Sequence, residues 1–421
     1  MSILNKKIIS NSLWMMIEKF IGIFGLIFVT SYVAKYIGPE NFGKIAFATT
    51  IFTFVQTLTW FGNQEILFKR VSKNHLSGLQ YLLSTQKIRK FLFLALTIPV
   101  LIGFYALTDQ LTFIFGIATA FATYFVTQDM YSIFNNAILK SYINAIVNMI
   151  GLVVALILRY FIVYFKLDIT FLALPIILIT LLPYLLKKLI FNRSDTSKII
   201  SIKRYSKYYF LAGSSLVIST LAISFYTQIT SFLLATLRST TELGLYAAAI
   251  PLGMSWSFVN FAIITSVLSR VYREKDNYNS YKMVAQLNLI IISISLTVIA
   301  ILALIGQWLI QLLYGNQYST SYELLVILAF STMFSGLGTV AARLMVKEES
   351  YSYISKKMFF VAIFSLPIAF FMIYFFGLKG AAYSVLLIEI LSATLFNYFY
   401  KQGLIFKIHF FPFYRHSLKI K

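Results

Sequence analysis

Among the charged side chains inside apolar runs of this sequence, six are the residues best placed to do chemistry: Glu18, Lys19, Asp129, Arg159, Arg343 and Glu389. A charge at the centre of a bilayer costs from about 3 to above 10 kcal/mol, so each needs a partner, a wet cavity or a route back to the headgroups. Asn11, Trp14, Glu18, Gly22 and Gly25 recur at helical spacing and define one polar-to-small face. Lys19 lies about 100° round the helix from Glu18. It reads equally as a cavity cation, as half of a local ion pair or as a lysine snorkelling to the headgroups. Arg159 ends a second regular face, Asn144, Asn148, Gly151 and Ala155. That face is too polar to point at lipid, although Arg159 also stands within snorkelling reach of the outer surface. Arg343, nearer the inner end of its run, reads first as an anchor.

The acids suggest proton movement instead. Asp129 precedes Asn135 and Asn136, and Glu389 stands near the middle of the last run. Each reads either as a proton relay or as a carboxyl held in a structural hydrogen bond. Ser215, Ser219, Tyr226 and Thr230 make a hydroxyl face that fits a cavity wall or close helix packing.

Other chemistries are excluded by what is missing. The chain has no cysteine, and its three histidines, His75, His409 and His416, share no ligand spacing. No metal, and no other cofactor, is therefore expected. No GxxxxGK[ST] stretch offers a phosphate loop for ATP. The net charge of +22 would suggest nucleic acid in a soluble protein, but nucleic acid is not the expected partner here.

The elements that must carry these residues are membrane spans. Of 421 residues, 59% are hydrophobic and 12% charged, about half the charge of a soluble domain. Apolar runs fall at 12–34, 42–63, 91–107, 112–136, 144–165, 169–189, 209–235, 244–268, 285–305, 322–345, 358–376 and 380–400. At ~20 residues per crossing these consume ~240 residues and leave only short loops, with no room for a soluble catalytic domain. The runs are helical in length, not the ten-residue alternating strands of an outer-membrane barrel. The first run is too long for a cleaved leader, and no small-residue cleavage site follows it.

The positive-inside rule orients the runs. With a cytoplasmic N-terminus, the outer segments hold only Lys35, Lys44, Lys166, Arg238 and Lys379. Nearly all other basic residues, from Lys6 and Lys7 to the tail of Lys401, Lys407, Arg415, Lys419 and Lys421, fall inside. The positive charge is thus an orientation signal and an anchor on anionic membrane lipid. The expected fold is all-α, about twelve transmembrane helices with both termini cytoplasmic. A polar stretch with Ile199, Ile200 and Ile202, a candidate interfacial helix, divides it. The resulting parts are an N-terminal bundle (1–191), a linker (192–208), a C-terminal bundle (209–402) and a basic tail (403–421). Gly38–Ala48 (GPENFGKIAFA) and Ser239–Ala249 (STTELGLYAAA) open the second helix of each half and align at Gly43 with Gly244. The halves therefore read as two parallel six-helix bundles around a central cavity.

Five motifs in this order resemble a known family: Asn11-Ser12-x-Trp14-x-x-x-Glu18-Lys19; Tyr36-Ile37-Gly38-Pro39-x-x-Phe42-Gly43; Glu242-Leu243-Gly244-Leu245-Tyr246-x-Ala248; Leu313-Tyr314-Gly315-x-x-Tyr318; and Gly377-Leu378-Lys379-Gly380-Ala381-Ala382. Over essentially the whole chain this is similar to the Wzx-type polysaccharide flippases of the multidrug/oligosaccharidyl-lipid/polysaccharide exporter superfamily. The resemblance implies a V-shaped pair of bundles whose cation-lined cavity moves an undecaprenyl-diphosphate-linked oligosaccharide to the outer leaflet for O-antigen or capsule. Lys19, Arg159 and Arg343 fit that lining; Glu18, Asp129 and Glu389 fit ion coupling. The implied partners are the lipid-linked substrate, membrane lipids, a polysaccharide polymerase and a chain-length regulator. A drug or ion antiporter on the same fold, and a membrane polymerase or ligase, are the competing readings. The first would want acids lining its cavity, the second a charged outer loop.

Overall fold

In lipid the backbone has no partner but itself, which makes the helix the default. The computed structural model describes residues 6–194 and 203–411, and among them the chain is helical with no strand. Early in the first helix, and at scattered positions elsewhere, the helix path is described without the side chains. The stretch holding Ile199, Ile200 and Ile202 and the tail beyond residue 411 lie outside the described residues. Nine helices among the described residues are long and apolar enough to span a bilayer, or ten counting the bent pair Ile27–Trp60 and Asn63–Lys73 as one span. The chain is a multi-pass membrane protein.

The chain divides into two compact units, up to Ser224 and from Phe225. The first contains α1 (Lys6–Trp60), α2 (Asn63–Lys73), α3 (His75–Ser84), α4 (Gln86–Leu107), α5 (Gln110–Gln128), α6 (Tyr131–Ala137), α7 (Ser141–Tyr164) and α8 (Ala173–Ser194). The division falls inside α9 (Lys203–Leu237). The second contains α10 (Thr240–Met254), α11 (Ser257–Arg273), α12 (Asn277–Tyr314), α13 (Ser321–Lys347), α14 (Tyr351–Ala393), α15 (Leu395–Tyr398) and α16 (Leu404–His409).

Two of these helices, α1 and α14, are long enough for two crossings each. The 55 residues of α1 would reach about 80 Å if straight, against a core of ~30 Å. Gly38 breaks it, with φ of 77° and ψ of 167°, just before Pro39. Gly377 breaks α14 in the same way at a φ of 56°. Only glycine adopts such angles without steric cost. Both breaks fall between runs that the sequence separates.

The α14 break is also a tight reversal. A Cβ added at Gly380 would stand 1.9 Å from the carbonyl oxygen of Met372, a residue two turns away in an unbroken helix. Gly380→Ala therefore forces two backbones apart and should cost at least the ~1–3 kcal/mol of an overpacked core. A melting temperature in detergent equal to that of the native protein would show that the hairpin yields instead.

In the first unit α5 packs on α1, α4 and α8, and α7 on α1 and α8. The N-terminal part of α9 belongs to this core. Its Tyr209 is fully buried, and the hydroxyl donates to the Thr59 carbonyl at 2.7 Å. Gly213 lies so close to Phe61 that a Cβ would meet that residue's oxygen at 2.4 Å.

In the second unit α13 is central, packed on α10, α11, α12 and α14. Beyond α14 the chain folds back: Leu404, Ile405 and Ile408 of α16 are buried in a cluster with Val271, Val284 and Leu344. Glu348, in the α13–α14 turn, holds this return. Its carboxylate accepts hydrogen bonds from Tyr281 (2.8 Å), Tyr400 (2.7 Å) and Lys401 (2.6 Å). Burial alone would push this carboxyl up, but the bonds from Lys401, Tyr400 and Tyr281 and the Lys401 charge hold it below its ordinary value. A depressed carboxylate contributes stability that is complete above the unfolded value of ~4.3 and is lost as pH falls through the folded one. Acidification from about pH 6 to about pH 3 should therefore lower the melting temperature of the native protein more than that of Glu348→Gln. Equal drops would remove Glu348 from the account.

Rings mark one end of each unit. Tyr160, Phe161, Tyr164 and Phe165 at the end of α7 are exposed, as are Phe370, Phe371, Tyr374, Phe375 and Phe376 before Gly377. Exposed aromatic clusters at span ends are the belt expected where lipid meets water.

Candidate functional site

The polar face of α7 points into the first unit. Asn144 is buried, and its amide donates to the Ser132 carbonyl (2.8 Å) and to Asn136 (2.9 Å), while Asn135 donates back to it (2.9 Å). At Gly151 a Cβ would come within 2.5 Å of the Pro183 ring on α8, and Ala155 is wholly buried. Arg159, one turn further, continues this face just inside the aromatic belt. Its Nη1 donates to Thr30 Oγ1 of α1 at 3.3 Å, and it makes no ion pair with any described residue. A guanidinium carries five N–H donors in a planar fork. Among the described residues this one has a single neutral partner, which leaves most of its donors and its charge for an anion. The planar fork matches phosphate oxygens two at a time.

Asp129 is placed otherwise. It follows the last residue of α5 and pairs with Lys187 of α8 at 2.7 Å. Ser132 Oγ donates to the same carboxylate at 2.8 Å, and Lys187 also contacts that hydroxyl at 2.7 Å. Lys187 is almost completely buried. The sequence reading counted it among the inner anchors and gave Asp129 no cation. One signal was available: Tyr184, Lys187 and Phe191 recur at helical spacing, and all three are buried.

Arg89 falls between the apolar runs 42–63 and 91–107, yet its side chain is only 2% exposed. Its guanidinium donates to Thr85 Oγ1 at 2.7 Å and to the Leu82 carbonyl at 3.3 Å. Tyr81, Tyr131, Tyr184 and Tyr209 lie close around it, and no carboxylate among the described residues pairs with it. No local pattern signals this, because the four tyrosines that act on it come from four separate helices.

In the second unit Glu389 interacts with Ser335 of α13 and with the charge of Lys357 on its own helix, and Tyr226 of α9 lies near. Lys357 is buried at 6% exposure whereas its neighbour Lys356 is exposed. Both had been read as anchors. Lys357, Val361, Ser365, Ala369 and Ile373 form one buried stripe at four-residue spacing, so the inward member of the lysine pair was legible in outline. Thr230 and Ser384 share a hydrogen bond at 3.3 Å nearby in sequence on the same helices. Arg343 lies near the end of α13 with its side chain exposed, and its backbone carbonyl accepts from Tyr272 at 3.2 Å.

Glu18 and Lys19 lie on α1, and Ser215 and Ser219 on α9, at positions whose side chains are outside the described residues. No group of three metal-ligating side chains occurs among the described residues. Arg159 and Asp129 belong to the first unit and Arg343 and Glu389 to the second, each with its own surroundings.

Comparison with known proteins gives three findings. A family model described as "Polysaccharide biosynthesis protein" matches residues 6–271. The capsular polysaccharide biosynthesis protein CapF of Staphylococcus aureus is 24% identical over 136 residues, covering 32% of this chain and 34% of CapF. The matched segment thus spans about a third of that relative's length. Among solved structures, the lipid II flippase MurJ in an inward closed conformation aligns with a TM-score of 0.71 at 15% identity, over 96% of this chain and 90% of its own. An inward-facing MATE multidrug transporter aligns at 0.68 and 13% identity, over 91% and 95%. At such identities these structures establish the fold.

Proposed function

The chain belongs to the polysaccharide biosynthesis protein family, and from that premise we propose that it is a lipid-linked oligosaccharide flippase of the bacterial cytoplasmic membrane. The proposed substrate is an undecaprenyl-diphosphate-linked repeat unit, moved from the inner to the outer leaflet for O-antigen or capsule assembly. A polymerase and a chain-length regulator would receive the product.

The observation that carries this reading is Arg159. A guanidinium at membrane depth with no carboxylate partner among the described residues is expensive, and it is retained where an anion visits. The physical task is to bring a diphosphate and a sugar headgroup through ~30 Å of hydrocarbon without forfeiting the hydration of every polar group. Basic side chains replace that hydration while the prenyl tail stays in lipid. In this proposal Lys19 meets the diphosphate near the inner leaflet and Arg159 receives it nearer the outer one, with Arg343 a third cation on the inner side. A cytoplasm-negative potential favours outward movement of an anion by roughly 2.3 kcal/mol per charge at 100 mV. Glu18 and Glu389 are the proposed sites of proton exchange. Asp129 would serve only in a state that opens its pair with Lys187.

The antiporter reading loses support from the same side chains. Asp129 and Glu389 each have a lysine neighbour, which leaves neither as a free negative charge for a cationic drug. Deleting the gene should cause lipid-linked repeat units to accumulate on the cytoplasmic leaflet. Unchanged surface polysaccharide and no accumulation would refute the proposal.

A further inference from the structure

A depression of about 660 Å³ opens at the end of α11, lined by Ser266, Arg270, Arg273, Glu274 and Lys275. Its volume falls in the range of small-molecule sites, and its lining holds three cations against one acid. Several other charges at this end of the second unit are engaged. Lys347 donates to the Glu274 carbonyl at 2.9 Å and to the Ser280 hydroxyl. Lys401 pairs with Glu348, and a Glu274 carboxylate oxygen accepts from the Asp276 backbone at 3.0 Å. Arg270 and Lys275, both exposed, make no ion pair and no side-chain hydrogen bond with any described residue.

Cations in the last turn of a helix are favoured by its dipole, and that accounts for the presence of Arg270 and Arg273. It does not account for Lys275, which lies beyond the helix end, or for a concave surface walled by all three. A cleft lined by one sign of charge concentrates ions of the other sign. Arginine beside lysine suits phosphate, the first as a fork and the second as a point charge. Positive-inside orientation puts this end at the inner leaflet, where lipid phosphates lie within reach.

We propose that this depression binds the phosphate of a lipid headgroup at the inner leaflet, with Arg270 and Lys275 as its cations. That phosphate belongs either to the isoprenyl diphosphate of the transported molecule, a source that rests on the flippase reading, or to an anionic membrane lipid.

The test uses the full chain in phosphatidylcholine nanodiscs, with Lys19→Gln, Arg159→Gln and Arg343→Gln as the background so that the other candidate phosphate cations are removed. Farnesyl diphosphate is the probe, titrated with and without phosphatidylglycerol in the disc. Adding Arg270→Gln and Lys275→Gln should weaken probe binding at least about tenfold, while Arg270→Lys with Lys275→Arg should largely restore it. Both positions are exposed, and a melting temperature unchanged by the substitutions separates lost binding from lost fold. Competition by phosphatidylglycerol identifies a membrane-lipid site, and its absence identifies the diphosphate. Probe and phosphatidylglycerol affinities untouched by the double glutamine variant, or no binding of either to the unsubstituted site, would overturn the proposal. Export is read separately, by surface polysaccharide in cells, so failure of this site leaves the flippase reading standing and the reverse also holds.

Discussion

Arg159→Gln should cut export of lipid-linked repeat units at least about a hundredfold while the protein remains in the membrane at its normal level. Glutamine keeps the first three side-chain carbons and an uncharged amide but is two atoms shorter, so the substitution removes the charge together with the reach to Thr30. A hydrogen bond to a charged group is worth about 1.5–3 kcal/mol, and a bidentate phosphate contact loses two. Roughly 3 kcal/mol is a factor above one hundred. Arg159→Lys should keep part of the activity, because a point charge still attracts the diphosphate without gripping two of its oxygens. Lipid-linked intermediates extracted from the inner leaflet, together with surface polysaccharide on a gel, report both arms. Normal polysaccharide from the glutamine variant would remove Arg159 from the transport path.

The pair between Asp129 and Lys187 supplies the second large effect, on stability. Lys187→Met strands a buried carboxylate beside Ser132, and Asp129→Asn strands a buried ammonium. Either should cost about 3–5 kcal/mol, since breaking a buried pair leaves an uncompensated charge. The double variant removes both charges and should recover most of that loss, so a double-mutant cycle in detergent gives a coupling well above the ~0.5 kcal/mol of independent sites. Additive single effects would mean that the pair contributes nothing beyond its two side chains.

That the chain is a multi-pass helical membrane protein was legible because hydropathy over twenty residues is a one-dimensional property of the chain. Gly38-Pro39 and Gly377 stood at the expected breaks for a local reason as well, since a left-handed backbone angle needs glycine whatever surrounds it. Burial of individual charges is different. Lys356 and Lys357 are identical neighbours in sequence, yet only the second turns inward, and only the spacing of Ser365 and Ala369 hinted at which. Arg89 carried no such hint. Its tyrosines come from α3, α6, α8 and α9, so its burial is a property of the packed unit. Arg159 stands between these cases: the regular face from Asn144 to Ala155 showed that it points inward, but the single neutral contact to Thr30 required the fold.

The course of α9 bears on how the polypeptide is made. The most polar internal stretch looks like a natural seam, and a gene split there would seem to yield two self-sufficient pieces. The first piece would lack Tyr209 and Gly213, leaving the Thr59 carbonyl without the hydroxyl that reaches it and the Phe61–Asn63 turn uncovered. During synthesis, likewise, the first unit cannot close when its eighth helix leaves the ribosome. It waits for the start of the ninth, so a nascent chain halted at the seam should be a substrate for membrane quality control, whereas one halted after Ser224 should escape it.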